Sequence, residues 1–80
     1  MRVQLGALKA ADLAEAAWSA LTTKNRDLLG NLPHRVVQVE LGDKGTWYRL
    51  QAGPLADAEA AKSLCDSLSQ RKVGCMIVKK

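Results

Sequence analysis

At residues 47–55 the chain reads Trp-Tyr-Arg-Leu-Gln-Ala-Gly-Pro-Leu. Successive side chains of a β-strand point to opposite faces of the sheet, so the first six of these residues predict a strand with two different faces. One face holds side chains suited to a core, those of Tyr48, Leu50 and Ala52. The other face holds an aromatic ring, a cation and an amide, those of Trp47, Arg49 and Gln51. We expect the function to lie on this second face.

An internal repeat extends this pattern to the rest of the chain. Residues 2–8 read Arg-Val-Gln-Leu-Gly-Ala-Leu and residues 49–55 read Arg-Leu-Gln-Ala-Gly-Pro-Leu, so Arg, Gln and Gly recur at an offset of 47 residues. Each copy is followed by residues at the i, i+3, i+4, i+7 spacing of one helix face. These residues are Ala14, Ala17, Trp18 and Leu21 in the first copy and Ala61, Leu64, Cys65 and Leu68 in the second. The repeat predicts two strand and helix units.

Two further strands complete the predicted fold. Residues 35–41 alternate between two faces, and residues 75–79 form a short β-prone run. Residues 42–45 (Gly-Asp-Lys-Gly) have the composition of a hairpin turn, which makes the second and third strands antiparallel neighbours. The order βαββαβ predicts an α+β fold of the ferredoxin-like (RNP-like) type. In this fold a four-stranded antiparallel sheet carries two helices on one face and leaves the other face open.

The two helices have recognisable boundaries in the sequence. The first is predicted to begin within residues 10–12, where Asp12 followed by Glu15 resembles a capping box, and to end near residues 24–25. The second is predicted to run from about Asp57 to Lys72.

The segment between the first helix and the second strand is the least regular part of the chain. Its leucines are predicted to form a short turn under the edge of the sheet, before Pro33 interrupts it. His34 is expected to be a solvated loop residue. Trp18 is expected in the core, because it lies on the apolar face of the first helix.

The open face is predicted to be polar and cationic. Its two central strands present Arg2, Gln4, Trp47, Arg49 and Gln51, and the last strand adds Met76 and Val78. The chain has 12 Lys and Arg against 8 Asp and Glu, a net charge of +4, which favours an anionic or polyhydroxylated partner. An indole offers a flat apolar surface to a sugar, and Arg and Gln bind hydroxyl and carboxylate groups. Single-stranded nucleic acid would use the same residue types.

Cys65 and Cys75 leave two structures open. Cys65 lies on the apolar face of the second helix, and Cys75 points towards that helix if Met76 is on the open face. The two residues either form a disulfide, which would stabilise so small a domain by about 3 kcal/mol, or remain two buried free thiols.

The sequence argues against an enzyme. The two cysteines do not form a Cys-x-x-Cys pattern, and the chain has one histidine, so no metal site is expected. The serines of the second helix have no evident base, and there is no glycine-rich phosphate loop or pair of catalytic carboxylates. We therefore expect no catalytic residues and no cofactor.

The length of the chain predicts one small domain. Residues 1–80 are enough for one small core, and no stretch approaches the roughly 20 apolar residues of a membrane span. The residues directly after Met1 look like a strand and not like a basic and then apolar leader. If the protein is exported, we expect this chain to be a domain cut from a longer precursor.

The chain resembles a SPOR (sporulation-related repeat) domain along essentially its whole length. The resemblance lies in Val-Gln-Leu-Gly-Ala-Leu at residues 3–8, in Tyr-Arg-Leu-Gln-Ala-Gly-Pro-Leu at residues 48–55, and in Gly-Cys-Met-Ile-Val at residues 74–78. Family members usually have Phe where this chain has Leu8 and Leu55, a departure that affects packing more than binding.

The resemblance implies a periplasmic module that binds peptidoglycan, especially glycan strands stripped of their stem peptides, as found at division septa. It implies that the open sheet face binds the glycan through Gln4, Ala7, Trp47, Arg49 and Met76, although Ala7 lacks the hydroxyl that a serine would supply. With Arg2 and Gln51, which the strand phase adds, these residues are the predicted glycan-binding set. The resemblance also implies that residues 1–80 are a single, monomeric domain from the C-terminal end of a larger exported protein. That parent protein is expected to be membrane-anchored or secreted, with division or cell-wall enzymes as further partners.

Two other functions remain as alternatives. An RNA-recognition module has the same βαββαβ order but uses aromatic residues on strands one and three, whereas strand one here carries Gln4 and the chain has no Phe. Nucleic acid is therefore not an expected partner. A protein-interaction domain of the division machinery would use the open face or the edge strand at residues 35–41.

Overall fold

The described part of the chain, residues 1–78 of a computed structural model, contains four strands and three helices. In chain order they are β1 (Arg2–Leu8), α1 (Ala11–Lys24), α2 (Arg26–Leu29), β2 (His34–Glu40), β3 (Thr46–Ala52), α3 (Ala58–Gln70) and β4 (Met76–Val78). The predicted α+β fold is confirmed, with the short α2 added in the irregular segment. The last strand was predicted to reach Lys79, which lies outside the described residues.

The four strands form one antiparallel sheet in the order β2-β3-β1-β4. A 3-10 turn at Gly42–Lys44 connects β2 to β3, as the glycine-rich hairpin predicted. The two copies of the internal repeat, β1 and β3, are therefore neighbours at the centre of the sheet.

The helices pack on one face of the sheet. Val3, Leu50 and Ala52 are buried on that face, as their strand phase predicted. The same cluster contains buried side chains from the three helices, those of Trp18, Leu29, Ala61, Leu64 and Leu68. Trp18 is a core residue, as expected, and none of the helices within residues 1–78 covers the opposite sheet face.

A β-bulge in β1 changes the predicted alternation. Gln4 pairs with Gln51, but the next pair is Gly6 with Leu50, so Leu5 is the extra residue. Leu5 still packs against the core, as predicted. Beyond the bulge, Ala7 pairs with Arg49 and therefore lies on the open face, although strict alternation from Val3 would place it on the helix side.

His34 is not the solvated loop residue that was expected. It is the first residue of β2 and pairs with Ala52, so its ring points to the helix side of the sheet. There the imidazole stacks on the indole of Trp18, with ring centroids 4.7 Å apart. The Nε2 atom of His34 lies 2.7 Å from Oε1 of Glu15, so the Glu15 side chain contacts the sheet. The predicted capping box of Asp12 and Glu15 is therefore wrong, and the N-cap of α1 is Ala10.

The disulfide alternative is the one the structure contains. Cys65 in α3 is bonded to Cys75, the residue before β4, with Cα atoms 5.2 Å apart. The bond ties a three-residue edge strand to the helix that covers it.

Gly53 ends β3 in a conformation that favours glycine. Its φ is +125°, and a Cβ there would lie 3.1 Å from the carbonyl oxygen of Met1 and 3.2 Å from Cγ of Arg2. The equivalent residue of the first repeat, Gly6, has open space around it. Of the two glycines that recur in the repeat, Gly53 is therefore required by its backbone conformation and close contacts, whereas Gly6 is not.

A fork of hydrogen bonds joins α2 to the end of α3. Both terminal nitrogens of Arg71 donate to Asp27, at 2.9 and 2.6 Å, and one of them also donates to Oδ1 of the buried Asn25 at 3.0 Å. The hydrogen bonds from Arg71 lower the pKa of the Asp27 carboxyl below its ordinary value.

This ion pair predicts a pH-dependent contribution to stability. A carboxyl whose pKa is lowered by folding stabilises the protein above its unfolded pKa, about 4, and that stabilisation is lost as the pH falls through the lowered value. We expect Asp27→Asn to unfold more easily than the unsubstituted domain at pH 7, and the difference to shrink below about pH 4. Urea titrations at several pH values measure it. Asp66→Asn, at an exposed carboxylate of α3 without an ion pair among residues 1–78, is the control. A difference independent of pH would contradict the assignment.

Candidate binding surface on the open sheet face

The open face consists of the strand side chains that point away from the helices. Cross-strand partners share a face, so the register defines rows of neighbouring side chains. The row that crosses all four strands holds Arg35, Gln51, Gln4 and Met76. The next row holds Val37, Arg49 and Ala7. A third row pairs Val39 with Trp47. At the opposite end, Arg2 pairs with Val78.

Trp47 lies on this face, half-buried, with its indole held in place from one side. Its Nε1–H donates to the carbonyl oxygen of Lys44 at 3.0 Å, which fixes the ring against the hairpin turn. Nζ of Lys9, the residue after β1, lies 5.5 Å from the ring centroid, a cation–π distance. Tyr48, in contrast, points to the helix side, where it pairs with Leu8 and Gln38. The predicted phase of β3 is therefore confirmed.

Arg49 is exposed at the centre of the face. Its neighbours across the strands are Val37 and Ala7, both too short to cover a guanidinium. No carboxylate lies within 4.0 Å of Arg49 in the part of the chain that the structure describes. The small size of Ala7 leaves the Arg49 side chain accessible, a contribution that needs no hydroxyl.

Gln51 has the predicted strand phase but not the predicted exposure. It is only 5% exposed, and its Oε1 accepts a hydrogen bond from Nε of Arg35 at 3.3 Å. Its cross-strand position between Gln4 and Arg35 accounts for the burial, because a side chain at least as long as its own lies on each side. Gln51 therefore holds Arg35 on the surface and does not present its own amide to solvent.

The other end of this row is open and borders a shallow cleft. Met76 is 63% exposed and Gln4 is partly exposed beside it. A cleft of about 220 Å³ lies between the bulge of β1 and the chain before β4, lined by Gln4, Leu5, Gly6, Gly74, Cys75 and Met76. Its walls are mainly apolar. A larger cavity of about 410 Å³, at the end of α1, contains none of the predicted binding residues.

The open face is positively charged. Its cationic side chains are Arg2, Arg35, Arg49 and, beside Trp47, Lys9. No Asp or Glu occupies an open-face position of the four described strands. The arrangement suits a flat, extended anion with rings that can stack on an indole.

All seven predicted residues have open-face positions, and four further residues that the sequence analysis did not place there lie on or beside the same face. The additional residues are Lys9, Arg35, Val37 and Val39. The alternation of residues 35–41 indicates that Arg35, Val37 and Val39 share one face of β2. The sequence alone does not indicate whether that face is the open one. Lys9 follows the bulge, and the sequence gives no direct signal of its position.

The described residues offer neither a metal site nor a membrane span. Within residues 1–78, no group of three or more His, Cys, Asp and Glu side chains is placed to bind a metal ion. Over the same residues, the helices are too short or too polar to cross a bilayer.

Comparisons with known proteins identify one family. The family model described as SPOR domain matches residues 1–79. The crystal structure of the RlpA SPOR domain from Pseudomonas aeruginosa is similar, with a TM-score of 0.67 over 96% of this chain and 97% of that chain. The two sequences are 19% identical, so this likeness supports the fold alone. The comparison with curated proteins gives no significant match.

Proposed function

Because the chain belongs to the SPOR domain family, whose members bind peptidoglycan, we propose that it recognises glycan strands lacking stem peptides. SPOR domains are binding domains and not catalytic ones, and they occur in bacterial cell-envelope proteins. In this proposal the domain brings its parent protein to the division septum, where such strands are found.

The observation that supports this proposal is that an indole fixed by a hydrogen bond and an exposed guanidinium lie close together on the open face. Trp47 and Arg49 are two residues apart on β3 and lie in adjacent cross-strand rows, about 7 Å from each other along the strand. Removal of a stem peptide leaves a free lactyl carboxylate on muramic acid. Arg49 pairs with that carboxylate through charge-assisted hydrogen bonds while Trp47 stacks on the C–H face of a sugar ring.

The flatness of the face supplies the discrimination. A glycan strand that still carries peptides would bring bulky, branched groups against a sheet surface whose cleft beside Met76 is shallow. Such strands also lack the free carboxylate, because it is consumed in the amide bond to the peptide. Steric exclusion of the peptides and the loss of the lactyl carboxylate therefore both disfavour glycan strands that still carry stem peptides.

The other residues have supporting roles in this proposal. Gln4 donates to and accepts from sugar hydroxyl and acetamide groups, and Met76 gives an apolar contact beside the cleft. Ala7 keeps the approach to Arg49 clear, and Arg2 adds positive charge at the end of the face. Gln51 acts indirectly by holding Arg35.

The proposal places the domain in the periplasm. A disulfide forms and persists in oxidising compartments, and Cys65–Cys75 fits that setting. The parent protein would be membrane-anchored or secreted, with this chain as a monomeric module near its C-terminal end.

Co-sedimentation tests the proposal. The purified domain is mixed with intact sacculi and with sacculi denuded by an amidase, each with and without a single-stranded oligonucleotide as competitor. We expect much greater retention by denuded sacculi, unaffected by the oligonucleotide. Equal retention by both preparations would contradict recognition of stripped strands. Loss of retention on adding oligonucleotide would favour a nucleic-acid module.

The free edge of β2 favours a second candidate function, docking of a partner protein. Among the described strands, β2 has β3 as its only neighbour, so its other edge can accept an added strand. Recovery of a division protein from a lysate freed of peptidoglycan, together with failure to bind either kind of sacculus, would support this function over glycan binding.

A further inference from the structure

We propose that Lys9 determines specificity by covering the Trp47 ring until an anionic ligand draws it away. The ammonium group rests on the indole in the free domain and moves to a carboxylate of the ligand in the complex. The ring is thereby offered to anionic glycans in preference to neutral ones. This inference rests on the proposed function, and it adds that the same site requires a negative charge on its ligand.

The position of Lys9 follows from the register of the central strands. Leu8, the last residue of β1, pairs with Tyr48, so the next residue lies beside Trp47. Nζ of Lys9 is 5.5 Å from the centroid of the indole, the exposed lysine side chain crossing towards the ring. No carboxylate of residues 1–78 lies within 4.0 Å of Nζ. Within residues 1–78, the ammonium group of Lys9 therefore has a cation–π contact with the indole and no ion pair.

Of the two partners in this contact, the lysine is the one free to move. The indole is fixed by its hydrogen bond to the carbonyl oxygen of Lys44 and by its cross-strand neighbour Val39. The lysine side chain is a flexible four-carbon stem with an exposed, strongly hydrated end. A sugar that stacks on the covered side of the ring must displace the ammonium, since the two occupy the same space.

Displacement has different consequences for neutral and anionic ligands. An exposed cation–π contact favours its closed form by about two- to fivefold, so a neutral sugar that breaks it loses that factor in affinity. A ligand carboxylate held near Arg49 lies about one row from Lys9, about 7 Å along the strand, within reach of a lysine side chain. The ammonium then exchanges the ring for a charged hydrogen bond, which is the stronger contact.

The test compares two soluble ligands with the same backbone chemistry. One is a denuded peptidoglycan glycan fragment, which carries lactyl carboxylates, and the other is a chitooligosaccharide of similar length, which carries none. Affinities are measured by calorimetry for the unsubstituted domain, Lys9→Ala, Lys9→Arg and Lys62→Ala. Lys62 is an exposed residue of α3, so its substitution removes the same charge on the helix side.

We expect Lys9→Ala, which cannot reach the ring, to bind the chitooligosaccharide about two- to fivefold more tightly and the denuded fragment about three- to tenfold more weakly, closing the gap between them. Lys9→Arg is expected to keep the preference for the denuded fragment, and Lys62→Ala to leave both affinities unchanged. If the unsubstituted domain prefers the denuded fragment and Lys9→Ala preserves both affinities, the inference is wrong while the proposed function stands. If the unsubstituted domain binds neither fragment, the proposed function fails and the inference fails with it.

Discussion

Replacing both Trp47 and Arg49 with alanine is expected to weaken binding to amidase-treated sacculi by about a hundredfold. Stacking of a ring on an aromatic side chain contributes about 1 kcal/mol, and a hydrogen-bonded charge pair about 2 kcal/mol, which together correspond to two orders of magnitude. Neither side chain belongs to the buried core cluster, so the free energy of unfolding should change little.

Sedimentation across a range of sacculus concentrations measures this effect. Arg26→Ala is a suitable control because it removes one positive charge from α2, an exposed position outside the sheet. Its affinity should match that of the unsubstituted domain at moderate ionic strength. Normal binding by the double variant, with its fold intact by circular dichroism, would remove the basis for placing the glycan on this face.

The second large effect concerns stability. Replacing Cys65 and Cys75 together with alanine is expected to lower the free energy of unfolding by about 3 kcal/mol, because the bond closes a loop of about ten residues in the unfolded chain. For a domain of this size, that corresponds to a fall of roughly 12–24 °C in the unfolding midpoint. Binding should also weaken, because Met76 lies next to Cys75 on an edge strand of only three residues.

Chemical denaturation of the alanine variant, compared with the unsubstituted domain in the absence and presence of a reducing agent, measures the loss. The reduced unsubstituted domain should approach the variant in stability. Unfolding of the variant at the same denaturant concentration as the oxidised domain would show that the bond contributes nothing to the native fold.

The fold could be predicted from the sequence because several local signals agree. The alternation of β3, the helical spacing of the apolar residues and the glycine-rich hairpin all indicate the same topology. The internal repeat adds that the two central strands are equivalent. Positions set by strand phase, such as those of Arg49 and Met76, were therefore predicted correctly.

What could not be predicted depends on departures from regular geometry and on long-range packing. The bulge at Leu5 places Ala7 beside Arg49, and no pattern in residues 2–8 fixes where an extra residue enters the strand. The burial of Gln51 depends on neighbours from two other strands. His34 escaped prediction because its partner, Trp18, is distant in sequence and joins it only when β2 packs on α1.

The most direct test of the glycan-binding face uses the two indole N–H signals of the ¹⁵N-labelled domain. Trp47 lies on the open face and Trp18 is buried under the helices, so the two signals report on opposite sides of the sheet. On titration with a denuded glycan fragment, we expect the Trp47 signal and the backbone amides of β1 and β3 to shift, while the Trp18 signal stays in place. Shifts confined to α1 and α3, with the Trp47 signal unmoved at saturation, would contradict the account.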